Sequence, residues 1–238
     1  MSCFSSVDES AHFGFSVCML LTQYRDQLGW AQDGVVELGT GDATAIADVV
    51  AAVPELRVRS FDISAPSVER ARENIAARGI ADRYTVELGD FFDGADSAAG
   101  PPVSTVIANP PYIPAPDRDI LMPELWGGVH GNDLVLQLLK AGYRNVVTAV
   151  PSYADPETTV RTAEDLGYRV VNFLAMGLDY GEYSSEPKVR DHIRRLCAEG
   201  RGWAGEDEYM VAVALFTQDP DIPGDRGTQL LRALQLGT

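Results

Sequence analysis

Lysine is almost absent from this chain: only Lys140 and Lys188 occur in 238 residues, and Lys and Arg together number 19 against 35 acids, for a formal charge of −16 at pH 7. Nucleic-acid binding draws most of its non-specific strength from neutralising phosphates, so a surface of this sign excludes nucleic acid as a partner unless arginines gather locally. The densest gathering, Lys188, Arg190, Arg194, Arg195 and Arg201, is interleaved with Glu186, Asp191 and Glu199 and reads as a solvated helix face. Cysteine is scarce as well. Cys3, Cys18 and Cys197 have no metal-ligand spacing and cannot all pair, which implies free thiols in a reducing compartment and no metal. Long apolar runs are missing: residues 13–21 are too short and interrupted to span a bilayer, and residues 1–10 lack a basic leader. The expectation is a cytoplasmic chain that engages neither membrane nor nucleic acid.

What is present is an alternation of apolar runs and amphipathic stretches without internal repeats. Strands are predicted at 34–38, 56–61, 84–88, 103–108, 145–150, 169–176 and 209–217, with helices at 43–52, 65–78, 134–143, 156–166 and 229–236. Strands alternating with helices imply a parallel α/β sheet, whose ligands sit outside the carboxyl ends of the strands.

The most informative segment ends the fourth run. Asn109, Pro110, Pro111 and Tyr112 follow residues 103–108, so a rigid turn closes a buried strand. Proline fixes φ near about −65°, lacks an N–H, and pushes the preceding residue into extended conformations. The Asn109 side chain and the Pro110 carbonyl thus become two acceptors with little freedom of aim. Two acceptors about 3 Å from one point would hold an NH2 group by both hydrogens and turn its lone pair towards an electrophile, while Tyr112 offers a flat face to the planar group carrying it.

Upstream lies a place for that electrophile. Residues 34–43 read as a short strand, a glycine turn and a helix start, with Gly39 and Gly41 allowing close approach of a ligand to the backbone. The spacing is wrong for a nicotinamide enzyme, since Thr44 stands where a third glycine is wanted. Glu37 within this strand disfavours a pyrophosphate and favours a cationic ligand. Asp62, at the next strand end, is placed to accept from ribose hydroxyls, and Asp90, at the third, from an adenine amino group with Phe91 against the ring.

In that order and at those separations, Glu37 to Gly41, Asp62, Asp90 and Asn109 to Tyr112 resemble the class I S-adenosylmethionine-dependent methyltransferases that modify nitrogen. The run "NPPYIP" followed by "PELWGGVHGNDL" is most similar to the HemK-like enzymes, which methylate a glutamine side-chain amide in translation release factors. The resemblance covers roughly residues 34 to 178. It implies a Rossmann-like class I methyltransferase fold, a mostly parallel seven-stranded sheet with an antiparallel last strand. It also implies S-adenosylmethionine as cofactor, with Glu37, Gly39 and Gly41 framing its methionine end, Asp62 its ribose, and Asp90 and Phe91 its adenine. Asn109, Pro110 and Tyr112 would hold the acceptor nitrogen, Asn109 also bordering the cofactor. The chain departs from the family pattern at Ala43, where the glycine loop would carry a third glycine, and at Asp42, an acid between loop and helix.

Residues 34–218 are therefore expected to form the methyltransferase domain, preceded by a helical cap or lid at 1–33 and followed by a tail at 219–238 that could pack on a second copy. Residues 1–33 are much shorter than the substrate domain that precedes the catalytic part in release-factor enzymes. Residues 177–208 form an insertion before the last strand and read either as a lid or as a packing element. A cationic acceptor nitrogen has no free lone pair and would need carboxylates to receive its proton. Glu124, Glu182 and Glu186, with Tyr180 and Tyr183, are candidates to bind it. The sequence thus favours N-methylation of a small amine, amide or guanidino compound such as an amino acid, with protein glutamine methylation and a non-catalytic cofactor-binding scaffold as alternatives.

Overall fold

A computed structural model describes residues 7–94 and 103–235, so Cys3 and the last residue of the expected tail helix lie outside the described residues. The elements run α1 (Val7–Gln23), α2 (Arg25–Leu28), α3 (Trp30–Asp33), β1 (Val35–Leu38), α4 (Thr44–Ala52), β2 (Val58–Asp62), α5 (Ala65–Ala77), β3 (Tyr84–Leu88), α6 (Phe91–Gly94) and β4 (Thr105–Ala108). After a 3-10 turn at Pro123–Leu125 come α7 (Asp133–Lys140), β5 (Asn145–Pro151), α8 (Pro156–Asp165), β6 (Arg169–Asp179), α9 (Pro187–Ala198), β7 (Glu208–Thr217) and α10 (Gly227–Gln235). The strands form a seven-stranded sheet in the order β3-β2-β1-β4-β5-β7-β6. β1 pairs in parallel with β2 and β4, and β2 with β3, while β7 runs antiparallel to β6. The chain divides into two compact units: the elements up to Asn109 together with Tyr143–Val147, and Pro110–Gly142 together with Thr148 onward.

In the first unit every residue of β1 and β4 is buried, as expected of strands covered on both faces, and apart from Glu37 and Thr105 all of them are apolar. α5 starts where Ser64 accepts a hydrogen bond from the Ser67 amide and a proline occupies the first turn. Helix α1 buries Phe13, Val17, Leu20 and Leu21, a stripe at helical spacing. Its Gly14 lies so close to α4 that a Cβ there would sit 2.7 Å from the Ala45 carbonyl oxygen. Residues 7–23 are thus packed against this unit through one face of α1.

In the second unit β6 and β7 pair without interruption from Arg169↔Thr217 to Asp179↔Glu208, apart from a bulge between Val170 and Asn172. That pairing carries β6 three residues past the end expected from its apolar pattern. α7 stops earlier than its amphipathic pattern suggests, because Gly142 takes φ 81, a left-handed conformation that ends the turn. α9, inside the 177–208 segment, buries Val189, His192, Ile193 and Leu196. It is a packed amphipathic helix whose outer face carries the interleaved charges. Among the described residues no helix is long and apolar enough to cross a membrane, and Cys18 and Cys197 are free thiols.

Candidate active site

In the first unit, the loop after β1 is shaped by Gly39 at φ 74 and Gly41 at φ 56, conformations that side chains avoid. A Cβ at either glycine would meet nothing within 4 Å, so the loop borders open space. Ala43, standing where a third glycine was expected, also adopts φ 63. Asp42, the unexpected acid, accepts a hydrogen bond from the Thr44 amide and so satisfies an orphan donor at the start of α4. Asp62 at the end of β2 pins the loop: Oδ2 accepts from the Gly41 amide at 2.9 Å and Oδ1 from the Ser64 amide at 2.8 Å. Each oxygen keeps a further lone pair.

Glu37 is fully buried and accepts a hydrogen bond from the Tyr84 hydroxyl, which lies 2.7 Å from the Thr40 hydroxyl. Burial pushes its carboxyl up to about 7, against the opposing pull of the Tyr84 and Thr40 hydrogen bonds. Burial and the neighbouring Glu37 together push the Tyr84 phenol up as well. A buried carboxyl with hydroxyl partners and, among the described residues, no cation acting on it suits a ligand that brings its own positive charge. Asp90 is exposed and accepts from the Phe92 amide. The Phe91 ring is 5% exposed and packs edge-on to Phe61, at 5.9 Å between centroids, and to Phe92 at 5.3 Å. Little of it is left for a ligand.

β4 delivers Asn109 to the edge of this unit, and there the structure adds a residue the sequence did not single out. Glu9 of α1, 6% exposed, accepts a hydrogen bond of 2.9 Å from Asn109 Nδ2. A Glu9 carboxylate that is ionised only accepts, so this contact assigns Nδ2 towards Glu9 and Oδ1 away from it. Asn109 Oδ1 is left buried with no hydrogen-bond partner.

The second unit opens with the rest of the turn. Residues 113–115 run beside residues 125–128: the Ile113 amide donates to the Leu125 carbonyl, the Gly127 amide to the Ile113 carbonyl, and the Ala115 amide to the Gly128 carbonyl. Gly127 and Gly131 press directly on the turn. A Cβ on Gly127 would lie 2.5 Å from Tyr112 Cα and 2.8 Å from the Pro111 oxygen, and one on Gly131 2.6 Å from the Tyr112 oxygen. Gly127 and Gly131 of "GGVHG" are a backbone seat for Pro111 and Tyr112. The loop is tied to α9 and the residue before it: His192 Nε2 lies 2.7 Å from the Val129 oxygen, Lys188 Nζ 2.6 Å from Asp117, and Glu186 accepts from the Leu121 amide at 2.8 Å.

Pro110 is buried and Tyr112 is 7% exposed. The Tyr112 hydroxyl lies 3.3 Å from that of Tyr209 on β7, and its ring is tilted against Tyr153 at 6.0 Å. Tyr180 continues this aromatic cluster, 5.3 Å from Tyr209, with the Arg190 guanidinium 3.6 Å over its ring. Burial pushes the Tyr180 phenol up, partly offset by Arg190. Tyr183 packs at the edge of the same cluster. Tyr180, Arg190 and four carboxylates, Asp179, Asp191, Glu206 and Asp207, help line a cavity of 670 Å3. Glu124 and Glu182 are exposed. Of the expected acceptor-binding residues, only the two tyrosines share a cluster with Tyr112, and Glu186 serves backbone instead. Among the described residues, no group of His, Cys, Asp and Glu is arranged to hold a metal ion.

No family model matches the chain. Over 125 residues it is 29% identical to the ribosomal protein uL3 glutamine methyltransferase of Bordetella pertussis, covering 47% of this chain and 41% of that protein. Over 138 residues it is 28% identical to the release factor glutamine methyltransferase of Thermosynechococcus vestitus, covering 54% of this chain and 44% of the relative. This chain is thus similar to glutamine methyltransferases over about half of its length. It matches less than half the length of each of these curated proteins. Among solved structures, a protein from Pyrococcus horikoshii described as an RNA methyltransferase is 16% identical, with a TM-score of 0.52 over 84% of this chain and 82% of its own. That likeness shows the fold, a Rossmann-like methyltransferase sheet.

Proposed function

We propose that this chain is an S-adenosylmethionine-dependent N-methyltransferase whose acceptor is the side-chain amide of a glutamine in a protein. One observation carries the reading: Asn109 offers a buried side-chain oxygen with no partner, at the head of Asn-Pro-Pro-Tyr. A donor arriving there restores a hydrogen bond whose absence costs about 1–3 kcal/mol. The open glycine loop, the twice-anchored Asp62 and the cation-deficient Glu37 fit the cofactor, holding its methionine end and ribose. When bound, the cofactor supplies an electrophilic methyl group. The protein's own part is placement: Asn109 Oδ1 and the Pro110 carbonyl would accept the two amide hydrogens and fix the nitrogen's direction of attack. As positive charge builds on nitrogen, hydrogen bonds to those oxygens strengthen, so they favour the transition state over the ground state.

The small-molecule acceptor favoured by the sequence yields to its alternative because the relatives named above act on glutamine in a release factor and in a ribosomal protein. A neutral amide also needs no base before attack and can release its proton to water once the methyl group is bound, whereas the exposed Glu124 and Glu182 and the backbone-bonded Glu186 are a poor set of proton acceptors for a cationic amine. The test is transfer of a labelled methyl group to a bacterial release factor, to ribosomal protein uL3, and to free amino acids and guanidino compounds. Label on a protein glutamine, lost when that glutamine is changed to glutamate, is expected. Label confined to the small compounds, or cofactor binding without any transfer, would overturn the reading.

A further inference from the structure

Residues that touch the reacting group work only if something holds them, and Asn109 is held from 100 residues away. Taking the proposed function as its basis, we infer that Glu9 is a positioning residue that locks the Asn109 amide with its oxygen towards the acceptor nitrogen. The side-chain amide of asparagine has two faces of opposite hydrogen-bonding sense, and rotation about its last bond exchanges them. Only one of the two serves an NH2 acceptor group. With Nδ2 outward, the same residue would present donors to donors and repel the substrate. Pro110 restricts the Asn109 backbone but not this final torsion.

The Glu9 carboxylate removes the ambiguity. It accepts and cannot donate, so it tolerates Nδ2 and rejects Oδ1, and its 2.9 Å contact is charge-assisted. Its 6% exposure means that water offers Nδ2 little competition. Donation by Nδ2 also polarises the amide and makes Oδ1 a better acceptor, the sense of cooperativity expected in a hydrogen-bonded chain. Oδ1 answers to this picture: it is buried and unpartnered while its sister atom is satisfied. Glu9 in turn is braced by its helix. Phe13, Val17, Leu20 and Leu21 anchor α1 in the core, and one turn beyond Glu9 the bare Cα of Gly14 rests against the Ala45 carbonyl of α4. α4 is the helix that begins at the end of the glycine loop, so one element sets both the amide and the wall behind that loop. Helix α1 thereby acts on specificity for nitrogen, by selecting the oxygen face.

The test compares wild type with Glu9→Ala, Glu9→Gln and Asn109→Ala in three measurements: kcat on the methyl-accepting protein, cofactor Kd, and the Asn109 side-chain 1H–15N signals, assigned by their disappearance in Asn109→Ala. Glu9→Ala is expected to lower kcat about 10-fold, with cofactor Kd changed less than about 2-fold and the Asn109 signals moved to free-amide positions. Glu9→Gln keeps an acceptor oxygen and should recover part of the loss. Adding Glu9→Ala to Asn109→Ala should change kcat no further, since the two act as one unit. Unchanged Asn109 signals in Glu9→Ala, or an equal fall in kcat and cofactor affinity, would overturn the inference. Asn109 signals that shift on Glu9→Ala, when the wild-type protein methylates no glutamine, would instead sink the functional reading and leave the lock standing.

Discussion

At Asn109 the chemistry rests on one oxygen atom. Asn109→Ala removes it and is expected to lower kcat by about 10²-fold while cofactor Kd moves less than about 2-fold, as for an interaction made mainly in the transition state. Single-turnover methyl transfer alongside cofactor titration checks this, and a matching loss of both would point to general damage. Glu37 makes a prediction of a different kind. Burial raises its carboxyl from 4.5 to about 7, so between those values the folded chain holds a proton the unfolded chain has released. The contribution of Glu37 to stability is therefore fully present below about pH 4.5 and is lost as pH rises towards 7, by no more than about 3 kcal/mol. Glu37→Gln should abolish that slope in denaturant titrations across the window, and a variant that keeps the wild-type slope would place its origin elsewhere. A cation bound beside Glu37 opposes the burial effect, so cofactor affinity should climb over the same pH range.

At the scale of elements, the turn is only as rigid as the glycines beneath it. Gly127→Ala forces a Cβ to within 2.5 Å of Tyr112 Cα, where backbone rather than a flexible side chain must yield. Overpacking of that kind costs about 1–3 kcal/mol, and the displaced acceptors should cost turnover about 10-fold or more. Thermal melts and kcat together check it, and full activity in a stable Gly127→Ala protein would contradict the seat described above. Local order explains what the sequence revealed. The glycine loop, the three strand-end acids and the proline turn each lie within a few residues, and the seven strands announce themselves by apolar runs. Glu9 and Tyr209 announce nothing, because Glu9 is an ordinary helical acid until β4 brings Asn109 to it, and Tyr209 an ordinary strand aromatic until it meets Tyr112 across 97 residues. The ring contacts of Phe91 are hidden for the same reason: its sequence neighbour is Asp90, while Phe61 and Tyr143, both remote in sequence, pack on its ring. The length of β6 was hidden in the same way, since it is set by its partner β7.

For the whole molecule the charge of −16 governs encounters. A large basic acceptor protein should be drawn in at low salt, and its kcat/KM should fall several-fold between about 0.02 and about 0.5 M salt as the field is screened, while cofactor Kd stays nearly constant. Indifference to salt would mean that the acceptor docks without help from this field. The bond between Glu9 and Asn109 also has a bearing on how the molecule comes to life. It closes a loop of 100 residues, and loops of that size form after the short-range helices have condensed. A chain diluted out of denaturant should regain its helical circular dichroism first and its ability to transfer methyl groups later, so newly made protein would pass through a stage that is shaped but idle.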